Sequence, residues 1–175
     1  MELWRQSGTE HYIPVRGTSM LPFLRDGDQV LVEHDLSNLR RGDIVVFQND
    51  SALITHRVLK VRPEANKGIT VLTKGDNLLR PDPLVNGNDI VGRVRAVRRG
   101  AREMPLDTRD WRWSNRLIGN LMMAWVKIYR IGLPAKGRLS AEKSTFARRG
   151  LRRMALAINS IIIRGMGLFS GRWRT

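Results

Sequence analysis

Short apolar runs, broken every few positions by glycine, aspartate or asparagine, fill the chain from about residue 28 to residue 98. The turn Arg25-Asp26-Gly27-Asp28 opens a strand over Asp28–Glu33, and Arg41-Gly42-Asp43 leads into another over Ile44–Gln48. Asn49-Asp50-Ser51 supplies a hairpin turn to Leu53–Arg62. A further run, Ile69–Thr73, stops at Lys74-Gly75-Asp76-Asn77. In Asp89–Arg98 the pattern alternates, with Ile90, Gly92, Val94 and Ala96 on one expected face and Val91, Arg93, Arg95 and Val97 on the other. Closely spaced short strands with no long helical period predict a mainly β fold, a β-sandwich or partly open barrel. Beyond residue 105 the period changes. Leu117, Leu121, Trp125 and Ile128 recur at helical spacing, as do Leu151, Met154, Ile158, Ile161 and Leu168, although Gly165 and Gly167 weaken the end of the second run. The expected division is a β-domain over 1–105 and a helical extension over 106–175.

Charge follows the same division. The 31 basic and 16 acidic residues give a net +15. Residues 1–100 hold 15 basic and 12 acidic side chains, a net +3, and residues 101–175 hold 16 and 4, a net +12. An apolar content of 42% is enough for a core. The absence of cysteine excludes a disulfide framework, thiolate catalysis and sulfur-based zinc sites. Residues 1–8 have no apolar core of the kind a secretory signal carries, and the ten-residue stretches Leu117–Val126 and Met154–Ile163 are too short and too interrupted for a transmembrane helix.

Taken singly, the candidate chemical groups have ordinary readings. Ser19 lies in a turn, His11 and His34 sit in polar surroundings, and His56 projects from a strand. Asp76 fits an Asx-type turn and Asp82 a loop between Pro81 and Pro83. Their order along the chain is more telling. Gly17-Thr18-Ser19-Met20-Leu21-Pro22, Gly27-Asp28, Arg41-Gly42-Asp43-Ile44-Val45, Thr55-His56-Arg57-Val58, Thr73-Lys74-Gly75-Asp76-Asn77 and Val91-Gly92-Arg93-Val94 follow one another. This series resembles the signal peptidase I family over residues 13–98. Within that family it is similar to the endoplasmic-reticulum and archaeal branch, in which Ser–His–Asp replaces the Ser–Lys dyad of most bacterial members. LexA-type self-cleaving proteins share the Ser-Met-x-Pro box.

The resemblance implies a signal-peptidase/LexA-like catalytic domain with Ser19 as nucleophile, His56 as general base and Asp82 as the acid that orients it. It makes Asp76 a supporting acidic residue and sets Met20 beside the nucleophile, with Pro22 fixing the loop. In triad chemistry the histidine takes the serine proton, the aspartate holds the imidazole tautomer, and the Ser19 N–H serves as an oxyanion donor. Where some family members place a second donor hydroxyl, this chain has Gly17, with Thr18 adjacent as substitute. Lys74 is the rival base, since a dyad lysine must be desolvated to lose its proton. No cofactor or metal is expected.

Family members also carry a transmembrane helix before the serine box, whereas the 18 residues ahead of Ser19 are polar. The expectation is therefore a cytoplasmic serine endopeptidase, or one peripheral to the inner membrane face, processing a leader, a signal-type peptide or a protein partner. Three readings of the basic extension stand open. It caps the β-domain with Leu117, Leu121, Trp125, Met154 and Ile158 as core, lies on an anionic membrane with Arg148, Arg149, Arg152 and Arg153 at the headgroups, or binds nucleic acid. Trp111, Trp113, Trp125 and Trp173 suit either a core or a membrane interface. The alternative for the whole chain is a non-hydrolytic LexA-like regulator or a pseudoenzyme adaptor.

Overall fold

The computed structural model describes residues 11–65 and 68–132. Eight strands form one antiparallel sheet: β1 (His11–Pro14), β2 (Gln29–Glu33), β3 (Ile44–Asn49), β4 (Ala52–Pro63), β5 (Ile69–Lys74), β6 (Leu84–Asn86), β7 (Ile90–Arg99) and β8 (Arg102–Pro105). A 24-residue helix, α1 (Arg109–Gly132), follows. The strand order is β1-β2-β7-β3-β4-β5-β6, with β8 paired to the far half of β7. The sheet curls into an open half-barrel, so the expected mainly β, partly open barrel architecture holds.

Both faces of this sheet are buried along its centre. Ile44 and Val46 of β3 point into one apolar cluster with Val30, Val32, Val94 and Val97, while Val45 and Phe47 point into a second with Val58, Val71 and Ile90. A strand covered on both sides reads as a continuous apolar run, which is why Ile44-Val45-Val46-Phe47 shows no alternation.

The expected faces of β7 need correction. Phe47 pairs Ile90 while Val46 pairs Gly92, and Leu31 pairs Ala96 while Val32 pairs Val94, so β7 holds one extra residue at each of two bulges. Each bulge turns the following residues to the opposite face. Ile90 consequently enters one cluster, and Val94 and Val97 enter the other together. β1, β6 and β8 are further strands beyond those the pattern predicts.

Thr108 starts α1 by accepting the N–H of Trp111 on its hydroxyl, and Asp110 lies in the positive first turn. The buried stripe is Trp111, Asn115, Ile118, Met122 and Val126, and its apolar members join the cluster around β2, β3 and β7. Leu117 and Leu121, expected in the core, are instead exposed at 36% and 42%, and Trp125 is half-buried. The true seam is rotated by about one residue, 100° around the helix, because it admits the polar Ser114 and Asn115. Close approach makes this docking possible. A Cβ on Gly42 would lie 2.2 Å from the Asn115 carbonyl oxygen, and one on Gly119 2.9 Å from the Gly42 nitrogen. Among the described residues no helix is long and apolar enough to cross a membrane. Met154, Ile158, Arg148, Arg149, Arg152, Arg153 and Trp173 lie outside the described residues.

Candidate active site

Strand period two divides neighbouring residues of β4 between two environments. His56 pairs across the ladder with Val45, and Arg57 pairs with Ile44, so the two side chains leave opposite faces of the sheet. On the His56 face the ring is 4% exposed, and its edge lies against Phe47. His56 Nδ1 lies 2.7 Å from Asp82 Oδ2, and Nε2 lies 3.1 Å from Ser19 Oγ. Residues separated by 37 and 26 positions are thus joined in one hydrogen-bonded chain.

The protonation pattern follows from this geometry. A carboxylate only accepts, so Nδ1–H donates to Asp82 and the Nε2 lone pair faces the Ser19 hydroxyl. Burial alone raises the Asp82 pKa, but hydrogen bonds from His56 and Thr73, with the nearby charges of His56 and Lys74, outweigh it and leave the carboxyl below its ordinary value. Asp82 is held from two sides. Its N–H donates to the Thr73 carbonyl at 2.9 Å, and the Thr73 hydroxyl donates to Oδ2 at 2.7 Å.

Ser19 is fixed by the loop that carries Asp76. The N–H of Asn77 donates to the Ser19 carbonyl at 2.7 Å, and the Asn77 side-chain amide to the Thr18 carbonyl at 3.0 Å. Before the serine, Gly17 takes φ +86°, and its N–H donates to Asp26. After it, Arg99 brackets Asp28 with two bonds of 2.7 Å and donates also to the Phe23 carbonyl, which ties down the end of the loop. Met20 is 2% exposed and belongs to the core beneath the nucleophile, whereas Thr18 is exposed.

Gly75 is where Ser19 and His56 come closest to the β5 turn. A Cβ there would lie 2.7 Å from the Ser19 carbonyl oxygen and 2.9 Å from His56 Nε2. Gly75→Ala is therefore expected to push the imidazole off the serine and to slow by about 100-fold any reaction of the serine that needs the histidine, the scale associated with a displacement near 1 Å. The rate at which a serine-reactive phosphonate labels Ser19, with thermal unfolding of the same variant, checks this; an unchanged rate would mean the pair does not need this close fit.

On the opposite face Arg57, 0% exposed, binds Asp76 through Nε at 2.9 Å and Nη2 at 2.8 Å. Its Nη1 donates to the Gly42 carbonyl and to Asn115 Oδ1 of α1, and the guanidinium lies 5.2 Å from the Phe23 ring centroid. Asp76, expected as a supporting residue, is thus held by Arg57 on the face opposite His56. Lys74 pairs with Arg57 across the ladder, which puts it on this same face, and its ammonium donates to the Gly75 carbonyl at 3.0 Å. Burial lowers its pKa to about 8, against the pull of Asp76.

Arg57, Thr73, Gly75 and Asn77 were all present in the sequence boxes, but nothing in their type gave them a role. The remaining histidines lie elsewhere: His34 bonds the Val91 carbonyl at 2.7 Å and meets the His11 ring edge-on.

A serine poised on a histidine that is in turn held by an aspartate, on a curled antiparallel sheet, narrows the comparison with known proteins. The family model for Peptidase S24-like proteins matches residues 2–94, more than half of the chain. The chain belongs to the Peptidase S24-like family. No curated protein matches it.

Proposed function

We propose that this S24-like protein is a serine endopeptidase working through a Ser19–His56–Asp82 acyl-enzyme mechanism. The supporting observation is the continuous chain from Ser19 Oγ through His56 to Asp82. As Ser19 Oγ attacks the scissile carbonyl carbon, His56 Nε2 takes the hydroxyl proton, and Asp82 stabilises the imidazolium without itself being protonated. The oxyanion of the tetrahedral intermediate is met by the Ser19 N–H, which donates to no group among the described residues. The imidazolium then protonates the leaving amine. Water, deprotonated by the same histidine, releases the acyl group and regenerates the serine.

The substrate class in this reading is a leader or signal-type peptide, or a segment of a protein partner, by analogy with the signal peptidase I branch that the sequence boxes resemble. Cytoplasmic or peripheral-membrane action belongs to the same proposal.

The identity of the base is tested by pH. Asp82 titrates below the ordinary carboxylate range, so the acidic limb of kcat/KM reports the base. A histidine base makes the rate climb with pH as the imidazole loses its proton, and Lys74→Ala leaves that limb in place. A Lys74 base would set the limb near 8, its lowered pKa. The expected pattern is an inactive His56→Ala and an active Lys74→Ala with an unmoved limb; an active His56→Ala and an inactive Lys74→Ala would transfer the role to the lysine.

A further inference from the structure

Where the 40–43 loop meets α1 lies a cavity of about 330 Å³ lined by Arg40, Arg41, Arg93, Arg112 and Arg116, with Asp43 as its one acidic group. Some of this charge is already used. Arg41 donates to the Leu59 carbonyl and Asn120, and Arg93 pairs with Glu33 at 2.7 Å. Arg40, Arg112 and Arg116 form no side-chain hydrogen bond or ion pair among the described residues. Against the five guanidinium groups stand Asp43 in the pocket and Glu33, Asp35 and Asp107 beside it, so the pocket keeps a net positive charge. The Nε–H of Arg93 is buried without an acceptor. A guanidinium cluster of this kind fits the oxygens of a phosphate group.

The helix beside the pocket adds a second feature. Trp113, which also lines the cavity, is 68% exposed, and Leu117 and Leu121 continue its row at i+4 and i+8. This outward apolar row is separate from the stripe that docks α1 on the sheet. Basic side chains flanking an exposed Trp and two Leu match the requirements of a lipid interface, with cations at the headgroups and apolar tips just below them. A nucleic-acid backbone would use the arginines and leave the leucines without purpose. A second copy would bring the same positive field against itself. So would the chain's own residues 133–175, which hold ten basic and one acidic side chain.

We infer that this face of the protein docks on an anionic phospholipid surface, the arginine pocket holding a lipid phosphate while Trp113, Leu117 and Leu121 enter the interface. The inference is independent of the catalytic reading, because Ser19→Ala leaves this surface intact. The test is cosedimentation of the full-length protein with phosphatidylcholine vesicles, with and without phosphatidylglycerol.

Arg112→Gln/Arg116→Gln is expected to weaken partition into the anionic vesicles about 30-fold, each arginine at such a surface contributing about fivefold. Trp113→Ser should remove most of the binding that persists at high salt. Arg62→Gln/Arg102→Gln, which takes the same charge from exposed positions outside the pocket, is the control and should change partition far less. All these side chains are exposed, and circular dichroism verifies that the variants fold. Equal losses in the pocket and control variants would overturn the proposal, as would undiminished vesicle binding by Arg112→Gln/Arg116→Gln. Loss of duplex DNA retention with unchanged vesicle binding would reassign the pocket to nucleic acid.

Discussion

Ser19→Ala is expected to abolish peptide-bond cleavage, lowering kcat by about 10⁴-fold or more, while leaving the fold in place. The fold is spared because the substitution removes one hydroxyl whose hydrogen bond is to His56, and leaves the Asn77 contacts to the Thr18 and Ser19 carbonyls intact. Removal of the nucleophile leaves the oxyanion donor and substrate binding, which in triad enzymes sustain only weak residual catalysis. Mass-spectrometric analysis of a peptide library incubated with the parent and the variant measures the difference. Cleavage by the variant at the parent's rate would contradict the assignment of Ser19.

Breaking the buried Arg57–Asp76 pair is expected to have the largest effect on stability. Both side chains are 0% exposed, and Arg57 also satisfies Gly42 and Asn115. Removing one partner leaves a desolvated charge behind, a loss of about 3–5 kcal/mol. Asp76→Asn or Arg57→Met alone should therefore shift the urea midpoint strongly downward. Arg57→Met/Asp76→Leu, which removes both charges and keeps apolar volume, should recover a large part of the loss. A single-variant loss below about 1 kcal/mol would mean that water reaches the pair and that it behaves as a surface bridge. Because Arg57 reaches from the strand of the candidate base to α1, the same variants should also loosen the helix. Near-ultraviolet circular dichroism of Trp111, packed edge-on against Phe23, reports that change.

Much of the sheet was legible because β2, β3, β4, β5 and β7 carry apolar runs bounded on one side by a Gly-Asp or Asn-Asp turn. β6 and β8 were not, because they are three and four residues long and hold few apolar side chains. β1 ends in a proline and contributes only Ile13 to the core from within the strand. The faces of β7 were misread for a different reason. A bulge is fixed by the register of two strands, and no property of one strand reveals it. The seam of α1 was displaced because Asn115 looks solvent-facing until Arg57 is seen to bond it.

The candidate site was legible in composition and order but not in geometry. The chain separation between Ser19, His56 and Asp82 carries no distance information, and the roles of Thr73 and Asn77 arise only when β5 and the loop after it fold against the serine turn. His56 and Lys74 were rival bases in the sequence. The ladder separates them, since alternation sends the histidine to the serine face and pairs the lysine with Arg57 on the other.

The central claim is that Ser19 is a nucleophile activated by His56, and active-site labelling tests it without knowledge of the substrate. The full-length protein is treated with a fluorophosphonate, and the modified peptide is identified by mass spectrometry in the parent and in His56→Ala, each confirmed as folded. The account predicts phosphonylation of Ser19 in the parent and loss of that labelling in His56→Ala. An unlabelled Ser19 in folded parent protein, or labelling that survives His56→Ala undiminished, would contradict it.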